Sequence, residues 1–335
     1  MGNSLNEYKK TKLMILAIVL LVSIVCSLMI GRYVISITDI LRAFTGKEVS
    51  DEITQVIFVV RLPRVFAATL IGGSLSLSGA SYQGMFKNPL VSPDILGSSA
   101  GAGFGASIGI LLSLSVTGIK LSSFMFGLLA VFITWFISTR FGKGDDNLFL
   151  LVLGGIIVSS LFQSMISLVK YVADPTDKLP AITFWLMGSL SKVTMGDVKV
   201  MILPFLVCVF VLICCASQLN ILALGEEEAR TIGVNTKILQ FTVIVMATVL
   251  TAFSVSLCGM IGWIGLVVPH LARMIVGPNF KTLIPASLLL GSSYLLIIDS
   301  ICRSLFAVEI PLGIVTSLVG LPFFLYLLTR KDRGW

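Results

Sequence analysis

Gly225-Glu226-Glu227-Glu228-Ala229-Arg230-Thr231-Ile232-Gly233-Val234-Asn235 lies between two long apolar stretches, Val198–Ser217 and Ile238–Leu257. An apolar run of about 20 residues is what a helix needs to cross a bilayer. Lipid offers no partner to open backbone, so such runs fold as helices. A charged island between two of them sits in water at one membrane face. Glu226, Glu227 and Glu228 suit the first turn of a short helix, where the macrodipole favours anions. Gly233 suits its end. The island reads either as a solvated loop or as an ordered element on which something docks, and helix signals at both ends favour the second.

Working outward, the rest of the chain has the same character. Of its 335 residues 56% are hydrophobic and 12% charged, with mean hydropathy +1.01. Soluble domains carry about 25% charged residues. The chain therefore reads as an all-α polytopic membrane protein, a single transmembrane domain over residues 1–335. Expected spans are 13–31, 62–85, 97–117, 121–140, 148–170, 198–217, 237–257, 260–276, 283–303 and 311–329, about ten helices of spanning length. The weakest division is 258–263, where the apolar run is broken only by glycines. Lys9, Lys10 and Lys12 precede the first run, which is longer than the core of a signal peptide and has no A-x-A site after it. The expected topology puts both termini in the cytoplasm, with Arg330, Lys331 and Arg333 on the side that positive charge prefers.

The net charge is +7, but the basic residues are scattered over loop ends without interleaved aromatics. That pattern points to anionic lipid headgroups and not to nucleic acid. Six cysteines lie in or beside apolar runs with no CxxC, and His270 is the only histidine. They read as small core hydrophobes, and neither a metal site nor a cofactor is expected. Outside the spans, residues 32–60 suggest a surface helix at Ile37–Phe44, and 171–197 a loop leading into a short helix.

Several motifs fall on the predicted spans. Gly97, Gly101, Gly105 and Gly109 recur every four residues, a stripe that lets a neighbouring helix approach closely. Gly79 to Asp94 holds Gln83, Gly84, Asn88, Pro89, Leu90 and Pro93, which interrupt regular helix. It reads as a capped turn, or as irregular backbone lining an aqueous pathway, the setting that tolerates it at membrane depth. Arg61-Leu62-Pro63-Arg64 opens the second span, with Arg303 on the same face. These arginines could snorkel to headgroups or meet carboxylates of an external partner. Asp299 lies four residues before Arg303 and is expected to pair with it. A faint repeat at an offset of 180 residues aligns Pro89 with Pro269. No G-x-x-x-x-G-K-[ST] phosphate loop occurs, so the chain is not expected to bind or split ATP. No catalytic triad or carboxylate pair is evident, and an enzyme is not indicated.

At these residues the chain resembles the FecCD family of ABC-transporter permeases, importers of iron–siderophore complexes, haem or cobalamin. The stretches that carry the resemblance are Arg61–Arg64; Gly79–Gly101; Trp185-Leu186-Met187-Gly188-Ser189; Leu219–Asn235; Gly262–Arg273; and Glu309-Ile310-Pro311-Leu312-Gly313, then Pro322-Phe323-Phe324. The resemblance implies a type II ABC importer permease architecture in a bacterial or archaeal cell membrane. It implies two permease subunits, as a homodimer or with a paralogue, two separate ATPases and an extracytoplasmic substrate-binding protein. Leu224, Gly225, Glu226, Glu227, Glu228, Ala229, Arg230, Thr231, Ile232, Gly233 and Val234 would be the ATPase-coupling segment, within 219–236. Arg61, Arg64 and Arg303 would receive glutamates of the binding protein. Gln83, Asn88, Pro89 and Leu90 would belong to the pathway and its inner gate, with Asp146 and Asn147 opposite. Iron–siderophore is the expected cargo, with cobalamin or haem as alternatives and molybdate-type oxyanions possible.

Two other classes compete. An ion-coupled carrier would need intramembrane carboxylates or histidine, and only Asp299 and His270 qualify. A scaffold without transport gains nothing from the broken backbone at Gly84–Pro93.

Overall fold

Among the described residues every regular element is helical. The computed structural model describes residues 2–142, 147–306 and 308–329. In chain order the elements are α1 (Gly2–Met29), α2 (Ile37–Phe44), α3 (Asp51–Gln55), a π-helical turn (Val56–Arg61), α4 (Leu62–Met85), a 3-10 turn (Pro93–Leu96), α5 (Ser98–Leu111) and α6 (Val116–Phe141). There follow α7 (Asn147–Val172), α8 (Lys178–Met187), α9 (Met195–Leu222), α10 (Glu226–Thr231), α11 (Thr236–Cys258), α12 (Ile264–Val276), α13 (Phe280–Ser304) and α14 (Leu312–Thr329).

Seven helices, α1, α4 with its leading turns, α6, α7, α9, α11 and α13, are long and apolar enough to cross a membrane, and α5, α12 and α14 are shorter apolar helices. These correspond to the ten expected spans, and α2 has the expected bounds. The expected span 97–117 is too long. Helix α5 stops at Leu111, Ser113 turns the chain at φ +55°, and Ser115 accepts from the Gly118 amide at 3.2 Å to start α6. The proposed repeat also fails locally: Pro89 lies in unwound backbone, whereas Pro269 sits inside α12.

Helix α4 is the centre of the molecule, buried without a break from Ile71 to Met85. It packs on α9, α11, α12 and α13. Small residues make this possible. A Cβ added at Gly72 would meet the Gly291 carbonyl at 2.3 Å, and one at Gly291 would meet the Gly72 carbonyl at 2.4 Å. The Ser292 hydroxyl donates to Thr69 O at 2.7 Å across the same seam. The α5 glycines do likewise: a Cβ on Gly101 or Gly105 would lie 2.4 Å from a carbonyl of α6. The stripe is a packing surface, as its spacing predicts, except that Gly97 instead ends the 3-10 turn at φ +88°.

The two membrane-facing ends of the bundle differ. One carries α10, the unwound segment after α4 and the start of α11. The other carries α2, α8 and the 305–311 connection. There, Ser189 N donates to Cys258 O at 2.7 Å and Leu312 N to Gly188 O at 2.9 Å, which ties α8, α11 and α14 into one junction. Asp174 starts the approach to α8. Hydrogen bonds from the Thr176 hydroxyl and amide hold its carboxyl below the usual carboxylate range.

Candidate functional site

Helix α10 is held by contacts made within a dozen residues. Glu226 and Arg230, one turn apart, form an ion pair at 2.7 Å. Thr236 at the start of α11 donates its hydroxyl to Glu226 at 3.1 Å and accepts from Arg230 Nε at 3.4 Å. At the other end Val234 N donates to Ala229 O at 2.9 Å and Gly233 N to Arg230 O at 3.0 Å. Gly233 has φ +92°. This is a Schellman closure, which needs a left-handed residue at that point. Ala229 is fully buried against the main core and seats the helix. Leu224 and Ile232 flank it at 71% and 61% exposure, with Glu227 and Glu228 exposed between them. The expected helix is therefore present, as an ordered knob with two bare aliphatic side chains.

The segment after α4 is irregular at residues 86–92, as the prolines and glycines predict. Lys87 has φ +51°, and the Asn88 side chain accepts from the Leu90 amide at 2.9 Å. Leu90 is 54% exposed and Asn88 is exposed, so both face outward from the bundle at the α10 end, with Pro89 between them. Gln83 does not join them. It is fully buried, with its amide toward Val91 O and Leu266 O. Asp146 lies outside the described residues, and Asn147 is described only as the first residue of α7.

The arginines are arranged differently from the expectation. Arg61, Arg64 and Arg303 are 4%, 5% and 6% exposed, not displayed on the surface. Arg61 donates to the carbonyls of Leu28, Met29 and Tyr33, which fastens the end of α1. Arg64 Nε donates to Asp299 at 2.8 and 3.0 Å, and Nη1 to Glu309 at 2.9 and 3.0 Å. Asp299 also pairs with Arg303, as its spacing predicts, but more loosely at 3.5 Å. Arg303 donates to the carbonyl and hydroxyl of Ser27. A buried charge is tolerated only when paired and hydrogen-bonded; Arg64 and Asp299 meet that condition, while Arg303 Nε has no hydrogen-bond partner and Arg61 is held by carbonyls. Its outermost member is Glu309, whose side chain is 33% exposed against 0% for Asp299.

A further feature was not read from the sequence. Ser160, Gln163, Ser164 and Ser167 form an exposed polar stripe along one face of α7, a helix otherwise apolar. Their spacing of three and four residues was the available signal. The serine hydroxyls donate back to the carbonyl four residues earlier, at 2.9–3.0 Å. Among the described residues no cluster of three His, Cys, Asp or Glu could hold a metal ion.

Comparison with known proteins places this geometry. The chain is 40% identical over 323 residues to the molybdate import system permease protein MolB of Haemophilus influenzae, covering 95% of each. It is 38% identical over 283 residues to the cobalamin import system permease protein BtuC of Halobacterium salinarum, covering 84% of this chain and 75% of that one. A solved structure described as an inward-facing conformation of a metal-chelate type ABC transporter superimposes with TM-score 0.87 at 38% identity, over 95% of this chain and 98% of that one. The FecCD transport family model matches residues 19–330, and the chain belongs to that family as the permease subunit of an ABC importer.

Proposed function

We propose that this chain is one of two permease subunits that carry a metal-bearing solute inward, driven by two separate ATPases at the α10 end. That end then faces the cytoplasm, and the α8 end receives a substrate-binding protein. The observation that carries the reading is α10. A six-residue helix closed at its C-terminal end, tied to α11 through Thr236, seated on buried Ala229 and flanked by bare Leu224 and Ile232, is built to transmit force from a docked partner. A solvated loop needs none of those contacts. The pathway is formed with the second subunit, by the α7 stripe and by Asn88, Pro89 and Leu90 at the inner end.

At the outer end the docking role of Arg61, Arg64 and Arg303 takes an indirect form. Arg64 already has two carboxylates, and Glu309 is the solvent-accessible one. A carboxylate of the binding protein engages Arg64 by displacing Glu309. Asp299 stays in place and keeps the guanidinium oriented. Arg61 and Arg303 hold α1 and α13 around this point.

For cargo, a molybdate-type oxyanion is the best-supported reading. The MolB relative matches end to end at 40% identity. The α7 stripe carries no fixed charge, and with its serine protons given to backbone carbonyls only the Gln163 amide is left to donate, so an oxyanion is touched weakly and released. An iron–siderophore complex, with cobalamin or haem beside it, is the second reading, supported by the likeness to a metal-chelate type transporter. Uptake of radiolabelled molybdate, ferric siderophore and cobalamin is measured in cells with and without the chain. Loss of molybdate uptake alone is expected. Loss of iron uptake alone would replace the cargo and keep the mechanism. Leu224→Asp with Ile232→Asp should abolish whichever uptake is seen while the chain remains in the membrane, and normal uptake in that variant would overturn the role of α10.

A further inference from the structure

We propose that the chain holds an anionic phospholipid at the α10 end, in a cleft between α6, α7 and α11. A cavity of about 540 Å³ lies there, within the roughly 300–1,000 Å³ of ligand pockets. Its lining is graded along the helices. Trp135, Leu151 and Ile244, a turn or more inside the helix ends, form an apolar floor, while Thr139, Lys237 and Gln240 stand nearer the mouth. Among the described lining residues Lys237 is the one cation and none is a carboxylate. Lys237 is exposed and sits in the first turn of α11, which contains no acidic residue. The helix macrodipole is positive there, so the lysine adds to it where a carboxylate would offset it. Arg140, exposed in the last turn of α6, contributes a second positive charge beside Thr139.

The site thus asks for a molecule with an anionic head at the membrane border and an apolar tail below it. Basic pockets between transmembrane helices at a membrane's inner face bind acidic lipid headgroups in this way. A free phosphate would leave the apolar floor unfilled. The position has a consequence for α10. Lys237 adjoins Thr236, whose hydroxyl joins Glu226 and Arg230. A headgroup seated on Lys237 therefore abuts the anchor of the docking helix and steadies it.

The test is lipid retention, which does not depend on cargo or on any partner. The purified full-length chain is placed in nanodiscs of mixed phosphatidylglycerol and phosphatidylcholine, released, and weighed by native mass spectrometry. Retained phosphatidylglycerol is expected, falling about fivefold in Lys237→Ala, the factor associated with one lysine near an anionic surface. Lys281→Ala, which removes an exposed lysine near the start of α13, should retain it. Leu148→Trp narrows the cavity and should expel the lipid with Lys237 intact. Equal retention in Lys237→Ala, equal retention of phosphatidylcholine, or full displacement by inorganic phosphate would each overturn the proposal.

Discussion

The two ends of this molecule solve the same problem, placing a charged contact beside a membrane, in opposite ways. At the α10 end the ion pair is four residues apart, half in solvent, and closed by neighbours within a dozen positions. At the α8 end Arg64 reaches 235 residues to Asp299 and 245 to Glu309, and the group is almost entirely buried. The first is a local device that can move as a unit. The second is a tertiary clamp whose loss is felt by the whole bundle. Charge held beside a membrane need not be charge on display.

The strongest way to break this comparison is Arg64→Ala. It leaves Asp299 buried without its main partner, and removing one member of such a pair costs about 3–5 kcal/mol. A large fall in thermal midpoint, measured in detergent, is expected, and an unchanged midpoint would mean that the cluster is not a clamp. Gly233→Val comes next. A side chain there meets nothing within 4 Å, so the penalty is backbone strain at φ +92°, about 1–2 kcal/mol. The strain should unseat α10 locally, so uptake falls steeply while the global midpoint moves little. A midpoint drop as large as that of Arg64→Ala would erase the distinction between the two ends.

Glu309→Gln should cost about 1 kcal/mol or less because the pair is partly exposed. It should also tighten binding of the substrate-binding protein, since residue 309 then no longer competes as an anion for Arg64 Nη1. Weaker binding in this variant would argue against displacement. The smallest effect belongs to Arg230→Ala. A half-exposed pair one turn apart contributes about 0.3–0.5 kcal/mol, so stability should not change measurably. Transport should still drop if Arg230 orients α10 through Thr236, and Arg230→Lys should restore only part of it.

The same contrast explains what the sequence could disclose. Helix α10 was readable because its acidic first turn, closing glycine and flanking spans are contiguous. The α2 bounds were readable for the same reason, since caps act locally, whereas the division after Cys258 was the weakest in the sequence and α12 starts four residues later than expected, at Ile264. The pairing of Arg303 with Asp299 followed from helical spacing, but the shorter bonds to Arg64 did not, because no spacing rule connects residues on α4 with α13 and the 305–311 connection. The burial of Gln83 was hidden too: whether a polar side chain at an interrupted helix end faces water or a neighbour is decided by the neighbour, here α12. The α7 stripe was legible in principle and was masked by the high overall hydropathy of its helix.

The reciprocal glycine contact between α4 and α13 limits how the protein can work. Each backbone touches the other at one point, Gly72 against Gly291, with room for hydrogen only. Sliding one helix by a turn, about 5.4 Å, would bring Ser76 or Leu295 to the contact and drive a side chain into a peptide group. That seam has a single gear position. Whatever motion the permease makes, α4 and α13 therefore move as one body.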